Sequence, residues 1–298
     1  MERLTVLCFA GTYGLALLVE LARFAVRAPA RWYATVGLTA LAWGVQTTYL
    51  ANLARVSGHV PMTTVFESLL ALSWIFAALG LYFMVHVPKP VAVGTFVLPI
   101  VVALTTVAGL AAPRRSDWGA AWSSATQFWG SLHGLFLLAG AVSTCVAFAA
   151  GLMYLAQARK LKTKRPSRLG IALPSLEQSE RINRAAVTAA FPLLTFGLLI
   201  GLILTVTTNA AAPGGIALTW ADPKVLSAMA MWLVFAVLLH ARFRPAMRGR
   251  GVVVLTIIAF GFLVFTWVGI EALRLPTAHG VSRTGNTTTT TIPSGRPL

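Results

Sequence analysis

Histidine is the residue of this 298-residue chain best suited to chemistry, and there are five. His133 opens an apolar run over 131–157, and His279 stands six residues past another over 252–273. Neutral imidazole is the commonest metal-ligand side chain and can hold haem iron axially. Two imidazoles at the same ends of two helices can share one metal. Interfacial histidines without a ligand would occupy the same positions, and position alone leaves both readings open. Before His133 the chain reads Arg114-Arg-Ser-Asp-Trp118-Gly-Ala-Ala-Trp122, then Phe128-Trp129-Gly-Ser-Leu-His133. Trp118 and Trp122 are four apart, as are Trp129 and His133, so a helix would gather aromatic planes on the approach to the imidazole. Such a face is either an aromatic belt at a membrane interface or a platform for a flat apolar ligand such as a porphyrin. In the second case Arg114 and Arg115 are placed to pair with propionates, because the guanidinium fork matches a carboxylate.

A second cluster runs from Ala211 to Lys224 and holds Trp220 and Asp222. An acid just before Pro223-Lys224 favours a helix N-terminus, and capping accounts for Asp222 without further function. His240 ends the run 224–241, where a polar tip at an interface costs little. Glu67 follows Ser57-Gly-His59-Val-Pro61 at the start of the run 65–86. A carboxyl there faces the bundle interior and pairs or stays protonated, with His59 as a candidate partner. Glu20 and Glu271, near run ends, are less informative. Cys8 and Cys145 lie in apolar runs without C-x-x-C spacing and read as small buried hydrophobes. Gly197-Leu-Leu-Ile-Gly201 has small-xxx-small spacing, a helix-packing signal. No phosphate-binding loop, dinucleotide fingerprint, H-E-x-x-H or serine elbow is present.

These residues must be positioned by membrane helices. Apolar residues make up 57% of the chain, charged residues 11%, and mean hydropathy is +0.77. Soluble domains carry about 25% charged residues, so an ordinary cytosolic enzyme and a disordered chain are excluded. The net charge of +16 sits in short segments between apolar runs, which points to a lipid bilayer and not to nucleic acid. Eight runs are long enough for ~30 Å of hydrocarbon: 4–24, 33–54, 65–86, 91–112, 131–157, 186–207, 224–241 and 252–273. The expected fold is all-α, a polytopic bundle of about eight transmembrane helices. Sixteen Lys and Arg fall after the odd-numbered runs and eight on the other side. That bias puts both termini outside the cytoplasm and His59, His133 and His279 toward the outer side. The first run reads as a retained helix, not a signal peptide. The basic segment Arg159–Arg168 reads as an anchor on anionic lipid. Ser175-Leu-Glu-Gln178 fits a capping box that starts a helix leading into the sixth run. The membrane domain spans 1–282, and the Thr-rich tail 283–298 is expected to be disordered.

Several stretches together resemble the cytochrome c assembly proteins of the CcsA or ResC type. Ser57-Gly-His-Val-Pro-Met-Thr-Thr-Val-Phe-Glu-Ser resembles their GH-P-L-S-N-x-Y-E-S stretch. Trp129-Gly-Ser-Leu-His133 is similar to their W-x-x-x-H, and Phe191-Pro-Leu-Leu-Thr-Phe-Gly-Leu-Leu-Ile-Gly201 to their GFPLLTLGLITG helix. Asp222-Pro-Lys224 and Leu239-His-Ala-Arg242 resemble the end of the tryptophan-rich WWD segment and the helix after it. His279-Gly280 falls where the family has its last external His. The resemblance covers roughly residues 40 to 282.

The resemblance implies an integral protein of the cytoplasmic membrane that handles b-type haem. It implies His133 and His279 as axial ligands and a ring shelf including Trp129 and Trp220 beside Asp222. It also implies His240 on the path by which haem arrives. It further implies a ResB- or CcsB-like membrane subunit and apocytochrome c as partners, with haem attachment, if any, the work of their complex. The WWD loop departs from the family pattern. Gly215, Leu218 or Thr219, Ala221 and Ser227 stand at its Trp positions, and Val225 at its Glu position. Relatives called HemX and YpjD share the domain with degenerate loops. The alternative is therefore a HemX-like regulator or scaffold of tetrapyrrole biosynthesis that attaches no haem.

Overall fold

The computed structural model describes residues 2–24, 30–58, 60–62, 64–86, 92–110, 124–163, 173–211, 222–243, 250–270 and 273. Eight α-helices are described: α1 Glu2–Leu21, α2 Ala30–Ser57, α3 Val65–His86, α4 Gly94–Leu110, α5 Ser124–Thr163, α6 Leu176–Ala211, α7 Pro223–Phe243 and α8 Arg250–Val264. A 3-10 turn, Ala22–Phe24, follows α1, and a π-helical turn, Phe265–Gly269, follows α8. Among the described residues there is no strand. All-helical structure is what hydrocarbon demands, since helices satisfy their backbone polar groups internally.

Helix ends follow local chemistry. At α3 the Glu67 N–H donates to Thr64 Oγ1 at 3.1 Å and the Thr64 N–H to the Glu67 carboxylate at 3.4 Å. This is a capping box, so Glu67 bonds locally at the start of its own helix. At α6 the Gln178 N–H donates to Ser175 Oγ at 3.1 Å, and the helix starts where the Ser175 signal put it. Helix α2 stops at Gly58. Its φ of +71° is a left-handed conformation that glycine adopts without strain, and its N–H donates to Ala54 O at 3.0 Å.

The helices form two four-membered rings. In one, α1 packs on α2, α2 on α3, α3 on α4 and α4 on α1; in the other, α5 to α8 do the same. The rings join where α5 lies against α3 and α4. Among the described residues, five helices are long and apolar enough to cross a membrane: α3, α5, α6, α7, and α8 taken with the π-helical turn that continues it. The apolar stretches Val6–Leu21 of α1 and Gly94–Leu110 of α4 are shorter. Helix α2 has the length but not the apolarity, and its polar residues explain why. Thr35, Thr39 and Gln46 are all buried in the bundle. Tyr13 OH donates to Gln46 Oε1 at 2.9 Å, and Gln46 Nε2 donates to Ser73 Oγ at 2.8 Å and Leu70 O at 3.1 Å. Beside it Trp43 and Trp74 stack at 5.7 Å with ring planes 8° apart. Trp43 Nε1 donates to Trp74 O, and Trp74 Nε1 to Thr47 Oγ1. A hydropathy window scores these residues as polar, yet none of the paired groups needs water. Cys145 is fully buried, as expected of a small hydrophobe, but Cys8 departs from that expectation and faces outward from α1.

The tightest packing joins α5 to α6. A Cβ on Gly140 would lie 2.7 Å from Leu194 Cδ2 and 2.8 Å from its Cγ. One on Gly197 would lie 2.6 Å from Leu137 Cδ2. Farther along, Asn183 Nδ2 donates to Ala147 O at 2.7 Å. As α5 residue numbers rise their α6 partners fall, so the two helices are antiparallel. Gly140→Ala is expected to destabilise by about 1–3 kcal/mol through overpacking. Gly37→Ala, with nothing within 4 Å of the new methyl, should be neutral or slightly stabilising. Thermal unfolding in detergent checks the pair.

Candidate functional site

His133 lies nine residues into α5, about 13 Å along the axis at 1.5 Å per residue. The helix therefore starts well before the apolar run, and the imidazole sits inside the bundle, half-buried, rather than at a helix end. Its Nδ1 is 2.7 Å from Gly197 O. A carbonyl can only accept, so Nδ1 carries a proton, and in the neutral ring the lone pair is then on Nε2. Metal-ligating histidines are commonly held in this way, with one nitrogen donating to a backbone carbonyl and the other facing the metal.

Room for the ring comes from Gly201. A Cβ there would lie 2.5 Å from His133 Cε1 and 2.8 Å from Nδ1. The small-xxx-small pair thus has two uses one turn apart. Gly197 admits Leu137 and offers its carbonyl, and Gly201 admits the imidazole. The same stretch of α6 receives α7. Trp232 Nε1 donates to Thr195 Oγ1 at 2.9 Å, and the Trp232 ring lies 5.6 Å from that of Phe191. Residues 191–201 therefore fix both neighbours of α6.

One turn before His133, Trp129 is 47% exposed and meets Phe128 edge to face at 5.6 Å. Asp222 is buried and caps α7, its Oδ1 accepting the Lys224 N–H at 2.8 Å. The helix-start reading of this acid agrees with that bond. His240 is exposed at the other end of α7, eighteen residues or about 27 Å from Asp222. The structure thus brings His133 together with Gly197 and Gly201 and separates Asp222 from His240. His59, Arg114, Arg115, Trp118, Trp122, Trp220, His279 and the tail lie outside the described residues. Among the described residues, no three or more His, Cys, Asp or Glu side chains converge on a metal-sized site.

An apolar cavity of about 330 Å3 lies between α3, α4, α5 and α8, lined by Leu69, Pro99, Cys145, Phe148 and Trp267 among others. Cys145 is twelve residues along α5 from His133, about 18 Å, so this cavity is separate from the imidazole. The sequence singles out His133 at the start of an apolar run, and the structure sets it nine residues inside α5 with an acceptor and a seat that the sequence does not name. The Gly197–Gly201 spacing was the signal, and it names a packing face without naming what packs.

With this geometry in hand, comparison with known proteins decides the family. The description "Cytochrome C assembly protein" matches residues 62–275. The chain belongs to the cytochrome c assembly protein family. The match spans the helices that carry Glu67, His133, Gly197, Gly201 and His240. Similar proteins include the cytochrome c biogenesis protein CcsA of Guillardia theta, 26% identical over 81% of this chain and 83% of that protein. CcsA of Synechococcus sp. is 26% identical over 92% and 95%. Protein HemX of Brevibacillus brevis is 26% identical over 78% and 82%. No solved structure matches the chain. Family membership supports a role in cytochrome c biogenesis, in a multi-pass membrane protein.

Gly201→Ala should push the ring off the Gly197 carbonyl. In protein labelled with 15N-histidine, nitrogen NMR is expected to find His133 as a single Nδ1–H form in the wild type. The variant should show a mixture of tautomers.

Proposed function

We propose that this protein binds haem on the extracytoplasmic side of the cytoplasmic membrane and presents it for attachment to apocytochrome c. The observation that carries the proposal is the His133 imidazole. A backbone carbonyl holds its Nδ1 proton, which puts the lone pair on Nε2, the nitrogen suited to an axial bond to iron. His279 is the proposed second axial ligand. Trp129 and Trp220 would contact the ring, with Asp222 fixing the start of α7 beside them. Arg114 and Arg115 would pair with the propionates. His240, at the opposite end of α7, belongs in this scheme to the path by which haem arrives. Haem is the cargo here. The chain's own part is to fix an imidazole tautomer, supply apolar and aromatic surface, and keep water from the ring. A ResB- or CcsB-like subunit is the proposed partner, and thioether attachment would be a property of the complex. All eight helices would cross the bilayer with both termini outside. The sixteen-to-eight distribution of basic residues supports that orientation. The buried polar groups of α2 support counting it as a span despite its composition.

The second reading is a HemX-like regulator or scaffold of tetrapyrrole synthesis. It is favoured by the loop that holds Gly215, Ala221 and Ser227 where the family has tryptophans. Similarity to HemX of Brevibacillus brevis supports it too.

The deciding measurement is the absorption spectrum of protein purified in mild detergent from haem-replete cells, beside His133→Ala and His279→Ala. A Soret band of bis-His low-spin character in the wild type, lost or shifted in each variant, is the expected result. Well-folded wild type without stoichiometric haem, even after hemin is added, would overturn the ligand assignment and leave the regulatory reading.

A further inference from the structure

The ring formed by α1 to α4 buries a charged cluster at the end where α1 stops and α2 and α4 begin. Glu20, near the end of α1, is 4% exposed, and Arg23, in the 3-10 turn that follows, is 7% exposed. Arg23 Nε pairs with Glu20 Oε1 at 3.2 Å. Thr95 Oγ1, from the first turn of α4, donates to the same oxygen at 3.2 Å. Thr35 Oγ1, from the second turn of α2, donates to Glu20 Oε2 at 3.4 Å. Gly94 permits the close approach of α4, since a Cβ there would lie 3.3 Å from both Cγ and Cδ of Glu20. Arg31 sits one turn before Thr35 on the same face of α2, and its charge acts on that of Arg23.

The carboxylate is thus fully engaged, and the guanidinium groups are not. Arg23 Nη1, Arg31 Nε and Arg31 Nη1 are sealed from solvent and have no hydrogen-bond partner. Buried donors without acceptors are costly, and more so on a charged group. Two arginines against one glutamate also leave one positive charge in excess. The N-terminal ends of α2 and α4 add to the positive potential, and the C-terminal end of α1 offsets one of them. A cluster with one surplus positive charge and three spare donors is complementary to a monoanion that offers several oxygens.

We infer that Arg23 and Arg31 form a binding site for a phosphate group, the phosphodiester of a lipid headgroup or free phosphate, at the end of the α1–α4 ring. A phosphodiester carries one negative charge and two unesterified oxygens, which suit the fork of a guanidinium. On the proposed eight-span topology the site lies where α1 ends and α2 and α4 begin, the level at which a bilayer presents its phosphates. The inference uses none of the residues proposed for haem and stands or falls separately from that reading.

Native mass spectrometry of the full chain in mild detergent tests it. The probes are dioctanoyl phosphatidylglycerol, dioctanoylglycerol (the same chains without the phosphate) and inorganic phosphate. The wild type should bind the phosphatidylglycerol about tenfold or more tightly than the dioctanoylglycerol, the scale of a charge-assisted hydrogen bond. Arg31→Gln should remove that preference, Arg31→Lys should keep part of it, and Arg184→Gln, an exposed arginine on α6, should keep all of it. Inorganic phosphate that competes with the lipid in an Arg31-dependent way would identify free phosphate as the source. Lipid binding indifferent to inorganic phosphate would identify the headgroup. Equal binding of the two lipids by the wild type, together with no binding of phosphate, would overturn the site. So would an Arg31→Gln protein that keeps the full preference. The wild-type comparison is informative even where a variant fails to fold.

Discussion

The close approach of α5 and α6 is the constraint on which the site depends. In hydrocarbon, helices gain little by excluding water from one another, so association rests on packing and interhelical hydrogen bonds. Both are concentrated along this seam. Gly140 receives Leu194, Gly197 receives Leu137 and Gly201 receives His133, while Asn183 reaches across to Ala147 O. Each of these glycine contacts is too tight for a methyl group. Sliding α5 along α6 by one residue would set side chains against backbone at all three positions. The register is therefore fixed, and with it the distance from His133 Nδ1 to the Gly197 carbonyl.

A second constraint acts in the α1–α4 ring, where polar groups cannot be left to water. Gln46 is the hub. Its amide takes the Tyr13 hydroxyl and gives to Ser73 and Leu70, so three helices are tied by one buried side chain. Trp43 and Trp74 repeat the pattern, each ring nitrogen finding an oxygen on the other helix. The two rings lean on these means to different degrees, although a Cβ on Gly80 of α3 would also lie 2.6 Å from Val97 Cγ1 of α4. The first uses reciprocal polar pairs between α1, α2 and α3. The second uses small residues that let backbones meet. In both rings a side chain of one helix reaches a backbone carbonyl of the next, Trp43 at Trp74 O in the first and His133 at Gly197 O in the second.

The helices were legible in the sequence because membrane spans announce themselves by length and apolarity. Six of the eight apolar runs fall wholly inside a described helix or the turn that continues it. Run 91–112 overshoots α4 at both ends, and run 252–273 extends past the π-helical turn that continues α8. The ends of α3, α6 and α7 lie at Thr64, Ser175 and Asp222 because capping is local chemistry, settled within three residues. What was not legible depends on contacts between distant segments. His133 and its acceptor are 64 residues apart, and no spacing rule links them. Glu20 sat near the end of a run and looked unremarkable, because Thr35 and Thr95 reach it only through the packing of three helices. The pairing of Glu67 with His59 was a sequence-level expectation. In the structure the carboxylate of Glu67 accepts the Thr64 N–H at its own helix start, and His59 lies outside the described residues.

The stretch from Phe191 to Gly201 shows why packing and chemistry are hard to separate in this bundle. Its residues contact α5 through Gly197 and Gly201 and α7 through Phe191 and Thr195. A change at any of them moves a helix and so also moves His133. The dependence runs the other way as well. An imidazole in the gap over Gly201 fills space that a smaller side chain would leave as a cavity, and its N–H takes a carbonyl lone pair that would otherwise face an apolar wall. The seat for His133 is therefore stabilised by the residue it holds. In the neutral Nδ1–H form the ring meets both demands with one nitrogen.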